Sequence, residues 1–200
     1  MNSSIWRPSP VGAPGGKEIS VHNFEELAAL HAVARLLAQP GEFRDQIEHA
    51  LQEMGDRLGM QRGMISLLDR ETGEAWLDVA HGVDIQGRDV TYLPGEGITG
   101  KVAQTGRAAV IPRISEEPMF LNRTGARRVL RKQDISFICV PIKQGKNVFG
   151  TLSVDRLFTE EIALDEDVRL LSIIASIIFE SVLIPIPGYA FRVIWRGREE

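Results

Sequence analysis

The residues with spacing suited to anion chemistry lie between positions 95 and 132. The run Gly95-Glu96-Gly97-Ile98-Thr99-Gly100-Lys101-Val102 satisfies both G-x-G-x-x-G and G-x-x-x-x-G-K, patterns in which backbone N–H groups and a helix N-terminus cradle phosphate. A phosphate loop needs Ser or Thr after the lysine to hold magnesium, and Val102 stands there. The preceding strand is short and ended by Pro94, not long and buried. A nucleoside triphosphate is therefore not expected. The run reads as a glycine turn that starts a short helix, with the N–H groups of 97 to 100 available to a small anion. Next comes a basic cluster, Arg113, Arg123, Arg127, Arg128, Arg131 and Lys132, whose guanidinium forks match carboxylate or phosphate. On a helix Arg123, Arg127 and Arg131 fall at i, i+4 and i+8 and share a face. That face either binds an anionic metabolite or is a solvated basic surface paired with acids of a neighbouring subunit or domain. The candidate binding set is Gly97, Thr99, Arg123, Arg127 and Arg131.

Other chemistry is poorly served. Cys139 lies inside Phe137-Ile138-Cys139-Val140-Pro141, where a thiol is an inert core residue with a raised pKa. His22, His31, His49 and His81 lack the spacing that puts two ligands on one helical face. No catalytic residue, metal or cofactor is expected. Asp155 and Arg156, at the end of an apolar strand, read as a mutually satisfied pair. Composition points the same way. In 200 residues, 23 Lys+Arg against 27 Asp+Glu give a net charge of −4, so no global positive field gathers nucleic acid. One cysteine excludes a disulfide framework and fits a reducing cytoplasm. No signal-peptide core and no long uncharged apolar span is visible, so neither secretion nor a membrane is expected.

These residues must be positioned by the surrounding elements. Residues 1–22, rich in Pro and Gly, read as a flexible arm. Asn23 with Glu26 forms a capping-box variant before a helix whose apolar stripe is Phe24, Leu27, Leu30, Ala34 and Leu37. Pro40-Gly41 ends it, and a second helix carries Phe43, Ile47, Leu51, Met54 and Leu58. Period-2 or continuous apolar runs then predict a hairpin over 63–69 and 75–81, short strands at 89–93 and 108–111, and a helix over 98–104. A helix is predicted over 120–131. A second hairpin, 136–142 with 147–155, is expected at the sheet's centre. Asp165 caps a final helix, apolar over more than half its circumference. Such breadth suits a helix that packs on its own sheet and also on a second copy, or one buried on both stripes within a single subunit. Residues 184–200 change character and read as an atypical tail.

In this order of elements, residues 23–183 resemble a GAF domain: an α+β fold with a central antiparallel sheet and the N- and C-terminal helices packed on one face. More narrowly, Phe120-Leu121-Asn122-Arg123-Thr124, Ser136 to Ile142, Gly150 to Phe158 and Leu164 to Ala175 resemble the sensory domain of NifA-like activators of nitrogen-fixation genes. The resemblance implies a non-enzymatic, cytoplasmic regulatory module, joined in full-length members to a sigma-54-remodelling AAA+ ATPase and a DNA-binding helix-turn-helix that are absent here. It implies control by a small anionic metabolite such as 2-oxoglutarate, or by an anti-activator protein; homodimerisation through the terminal helices is the expectation drawn from the breadth of the last helix. The alternative is an interaction or dimerisation module with no small ligand. A sulfoxide-reductase-type enzyme would need more than one cysteine.

Overall fold

A sheet whose strands are apolar on both faces needs cover on both sides, and this chain supplies it from different parts of its sequence. The computed structural model describes residues 21–85, 89–125, 135–158 and 164–182. Helices α1 (Val21–Leu37) and α2 (Phe43–Leu58) lead into β1 (Gln61–Leu68) and β2 (Ala75–Ala80). The short β3 (Thr91–Tyr92), α3 (Gly97–Thr105) and β4 (Ala109–Ile111) follow, with a 3-10 turn at Ile114–Glu116. The chain then builds β5 (Ile135–Gln144), β6 (Asn147–Leu157) and α4 (Leu164–Val182). The six strands form one antiparallel sheet in the order β3-β2-β1-β6-β5-β4. The centre is thus β1 beside β6, and the β5–β6 hairpin expected there contributes only its second strand. The expected arm and tail fall almost wholly on residues 1–20 and 183–200, outside the described residues.

Period 2 sorts the strands. Ile65, Val79, Ile138, Val140, Ile142, Leu152 and Val154 face α1, α2 and α4 and join the large buried core. Met64, Phe137 and Cys139 project to the opposite face and pack with Ile98 and Val102 of α3. The terminal helices therefore share one face, and α3 covers the other. Two helices differ from expectation. Helix α1 is already under way at Val21, so Asn23 and Glu26 do not mark its start, and its core face is Ala29, Val33 and Leu37. Phe24 and Leu27, expected inside, are 65% and 62% exposed. Helix α4 uses its breadth within the chain: Val168, Leu170, Leu171, Ile174, Ala175, Ile178 and Phe179 are all buried, and Ile173 is its exposed large apolar residue. The predicted helix over 120–131 is absent in its first half, since 120–125 is loop and turn; residues 126–134 lie outside the described residues.

The two layers are joined by ions at the end of β6. Asp155, with no exposed side-chain surface, takes a hydrogen bond from Arg62 Nε at 2.6 Å. Arg62 sits in a β1 bulge, where Gln61 and Met64 face Asp155 and Ser153, and its φ of 47° is left-handed. Its neighbour Arg156 points to the helical layer, where Nε lies 2.9 Å from Asp167 of α4 and a terminal nitrogen donates to the Leu58 carbonyl ending α2. The two residues do not pair with each other as the sequence suggests: Asp155 is bonded to Arg62, whereas Arg156 donates to Leu58 and meets Asp167 as an ion contact in which Nε and Oδ2 lack hydrogen-bond geometry. Asp155→Ala would strand the Arg62 guanidinium, only 12% exposed, and is expected to cost about 3–5 kcal/mol in urea denaturation; a loss under about 1 kcal/mol would deny the pair this role.

Candidate functional site

On the face opposite the terminal helices, small hydroxyl side chains interrupt the apolar strands. Ser66 of β1 and Ser153 of β6 lie beside Met64, Leu77 and Phe137 and form the floor of a cavity. Its roof is Ile98 and Thr99 from the first turn of α3, Tyr92 of β3, and Phe120 with Leu121 from the following loop. Phe120 meets Phe137 edge-on, with ring centroids 5.1 Å apart. The enclosed space is about 10 Å³, room for about one water. A ligand of several heavy atoms enters only if the roof moves. The hydroxyl-bearing residues Ser66, Tyr92, Thr99 and Ser153 give the lining its side-chain hydrogen-bonding capacity.

The glycine turn serves packing more than anion capture. Gly97 is left-handed at φ 60°, and a Cβ there would lie 3.0 Å from Leu121 Cδ1, so glycine lets the roof loop close on α3. At Gly100 a Cβ would come within 2.3 Å of the Leu93 carbonyl oxygen, which glues the helix to the end of β3. The N–H groups of Gly95, Glu96 and Gly100 are already engaged by the carbonyls of Gly100, Leu93 and Glu96. Gly97 and Thr99 are both buried, and Thr99 reaches the cavity.

Of the candidate arginines, Arg123 lies next to the cavity, over the ring of its lining residue Tyr92. It is in a turn, not on a helix. Its guanidinium pairs with Glu96 and lies 5.6 Å from the centroid of the Tyr92 ring, within cation–π range. Glu96 is fixed from its other side, since Oε2 accepts the Leu93 N–H at 2.9 Å. That backbone bond, helped by the charge of Arg123, holds the Glu96 carboxyl below the usual carboxylate range, against the opposing pull of desolvation. Arg127 and Arg131 lie outside the described residues, so the proposed three-arginine face is represented by Arg123 alone. Ser66, Ser153, Tyr92, Phe120 and Leu121 were not among the sequence candidates. The hydroxyl pair is visible in the strands as serine at the inward phase of apolar runs, whereas the roof depends on a loop path that periodicity does not encode.

Cys139 is fully buried, and burial pushes its thiol up to about 12 despite the nearby Thr151 hydroxyl. It is a packing residue, unsuited to nucleophilic or redox work near neutral pH. Among the described residues no three His, Cys, Asp or Glu side chains are grouped to hold a metal ion. No described helix is long and apolar enough to cross a membrane.

Comparison with known proteins identifies the family and the fold. The family model for the GAF domain matches residues 42–179. The nitrogen fixation protein VnfA of Azotobacter vinelandii is 39% identical over 159 residues, which cover 78% of this chain and 30% of that protein. The Nif-specific regulatory protein of Azospirillum lipoferum is 34% identical, over 86% of this chain and 28% of its own length. The chain thus spans less than a third of these curated relatives. Among solved structures, the A. Aeolicus nlh2 GAF domain in an inactive state superposes with a TM-score of 0.72 at 26% identity, over 80% of this chain and 96% of that one.

The Glu96 pair makes a measurable prediction about protonation. A carboxyl whose folded pKa is depressed adds stability above its unfolded pKa and loses it as pH falls through the folded one. NMR titration should place the Glu96 midpoint below 4.5, the value from which it is lowered. Arg123→Ala should move it only part of the way back, because the Leu93 N–H remains; an unmoved midpoint would show that the two charges do not meet in solution.

Proposed function

The chain belongs to the GAF domain family, and from that premise we propose that it is the sensory segment of a NifA-like, sigma-54-dependent activator of nitrogen-fixation genes. Its similarity to Nif-specific regulators over most of its length supports this placement. In this reading a small anionic metabolite of the 2-oxoglutarate type occupies the compartment between α3 and the sheet, in the cytoplasm, without being transformed. The observation that carries it is the roofed cavity lined by four hydroxyl-bearing residues, Ser66, Tyr92, Thr99 and Ser153, on the sheet face that the terminal helices leave to α3. Gly97 lets the roof loop approach, Arg123 supplies positive charge beside Tyr92, and Arg127 and Arg131, four and eight residues further along the sequence, are proposed to add to it. Occupancy would part the roof and change the poses of α1 and α4, which face a downstream ATPase and DNA-binding unit in the whole regulator. Such control needs only that the metabolite bind two conformations unequally, and a difference of about 1–3 kcal/mol suffices.

A second reading, an interaction or dimerisation module with no small ligand, is favoured by how little space the cavity leaves and by the exposed Phe24 and Leu27 on α1. There the partner is an anti-activator protein or a second copy meeting the terminal helices. Titration calorimetry with 2-oxoglutarate separates the readings. Saturable binding that Thr99→Val and Arg127→Ala each weaken by about tenfold is the expected result. No heat at millimolar metabolite, together with a dimer in light scattering that Leu27→Asp dissolves, would transfer the function to the second reading.

A further inference from the structure

We propose that Arg123 is the latch of the cavity: its joint grip on Glu96 and the Tyr92 ring holds the loop 117–125 shut and governs access to the space beneath. The two sides of the mouth are built differently. On the fixed side, Glu96 is anchored by the Leu93 N–H through one carboxylate oxygen, leaving the other for Arg123, and Tyr92 is at once a wall of the cavity and the surface beneath the guanidinium. On the other side, Phe120 and Leu121 are the plugs, two or three residues from Arg123. The backbone hydrogen bonds described for the loop are turns within it, Phe120 N–H to the Glu117 carbonyl and Gly125 N–H to that of Asn122. Arg123 on Glu96 and Tyr92, Phe120 on Phe137 and Leu121 against Gly97 are side-chain contacts that join the loop to the rest of the domain.

The closed pose also carries a cost. Asn122 Oδ1 is buried without a hydrogen-bond partner, and an acceptor in that condition favours a pose in which it meets water. A loop with a local penalty beside an ion pair that is 40% and 30% exposed is balanced near opening, because such a pair contributes little on its own and adds to stacking. The plugs, the penalty and the latch lie within four consecutive residues, so releasing one arginine frees the roof without unfolding the sheet. A carboxylate ligand would also compete with Glu96 for the same guanidinium, coupling entry to release.

The inference rests on the cavity as a receptor compartment, and its test is read without any metabolite, so a failed latch and a failure of 2-oxoglutarate to bind give separate results. Ser153 lines the cavity and is 4% exposed; Ser153→Cys in a Cys139→Ser background places a single thiol under the roof. Its alkylation rate by iodoacetamide is expected to rise about five- to tenfold with Arg123→Ala and with Glu96→Gln at an unchanged urea midpoint. Arg123→Lys should fall between. The double variant should be no faster than either single one, as for residues acting in one contact. Equal rates in all variants, or increases matched by equal losses of global stability, would overturn the latch. If the reporter does not fold, hydrogen exchange at the Leu121 and Asn122 amides, compared between the parent protein and Arg123→Ala, reads the same opening and is expected to accelerate; unchanged exchange there would also overturn it.

Discussion

Successive residues of a strand point to opposite faces, and at the end of β6 this simple rule places two charges in two different layers. Asp155 is directed to the α3 side and meets Arg62; Arg156 is directed to the helical side and meets Asp167 and the end of α2. Charges so deeply placed must be matched where they lie. Their partners come from β1, α2 and α4, so the strand end fixes the bulge that opens β1, the exit of α2 and the entry of α4 relative to one another. The strand end and its ionic contacts thus connect the two layers physically. Ser153, two residues earlier, has the same phase as Asp155 and lies on the cavity floor, which puts the compartment and the helical layer on one structural axis.

The face under α3 is asymmetric in a way that suits a receptor. Its floor is built on the two central strands of the sheet, β1 and β6, each paired along both edges, while part of its roof is a loop that contains local turns. In the proposed function the floor would supply fixed hydroxyl positions, and movement of the roof would supply the two states that regulation requires. The helical layer is packed on the opposite side of the sheet by a continuous apolar core, so it need not open when the roof does.

How much of this is legible in the residues depends on periodicity. The strands and helices that carry regular apolar patterns, such as Ile138, Val140 and Ile142 or Val168, Leu171 and Ile178, stand out, and the α+β architecture follows from them. Helix α1 is harder because it has apolar residues on more than one side: Phe24 and Leu27 have the spacing of a core stripe, yet Ala29 and Val33 occupy the buried side, where small side chains permit close approach. The roof loop is harder still. Arg123, Arg127 and Arg131 have helical spacing, but spacing predicts a face only if the backbone is helical, and Arg123 lies in a turn whose geometry is set by Leu121 against Gly97 and by Glu96. Likewise the glycines at 95, 97 and 100 have phosphate-loop spacing, whereas tight contacts with Leu93 and Leu121 account for glycine at 97 and 100.

The ring of hydrogen bonds joining Leu93, Gly95, Glu96 and Gly100 makes the end of β3 and the start of α3 a single preassembled unit. Conformational freedom at the mouth is thereby confined to one rim. Under the proposed function, a guest would meet half of its surroundings already ordered, and the entropic penalty of capture would fall on a short stretch of chain instead of on a whole layer. Exchanging the opposite rim would then alter what is admitted while the preassembled unit and the fold beneath stayed intact.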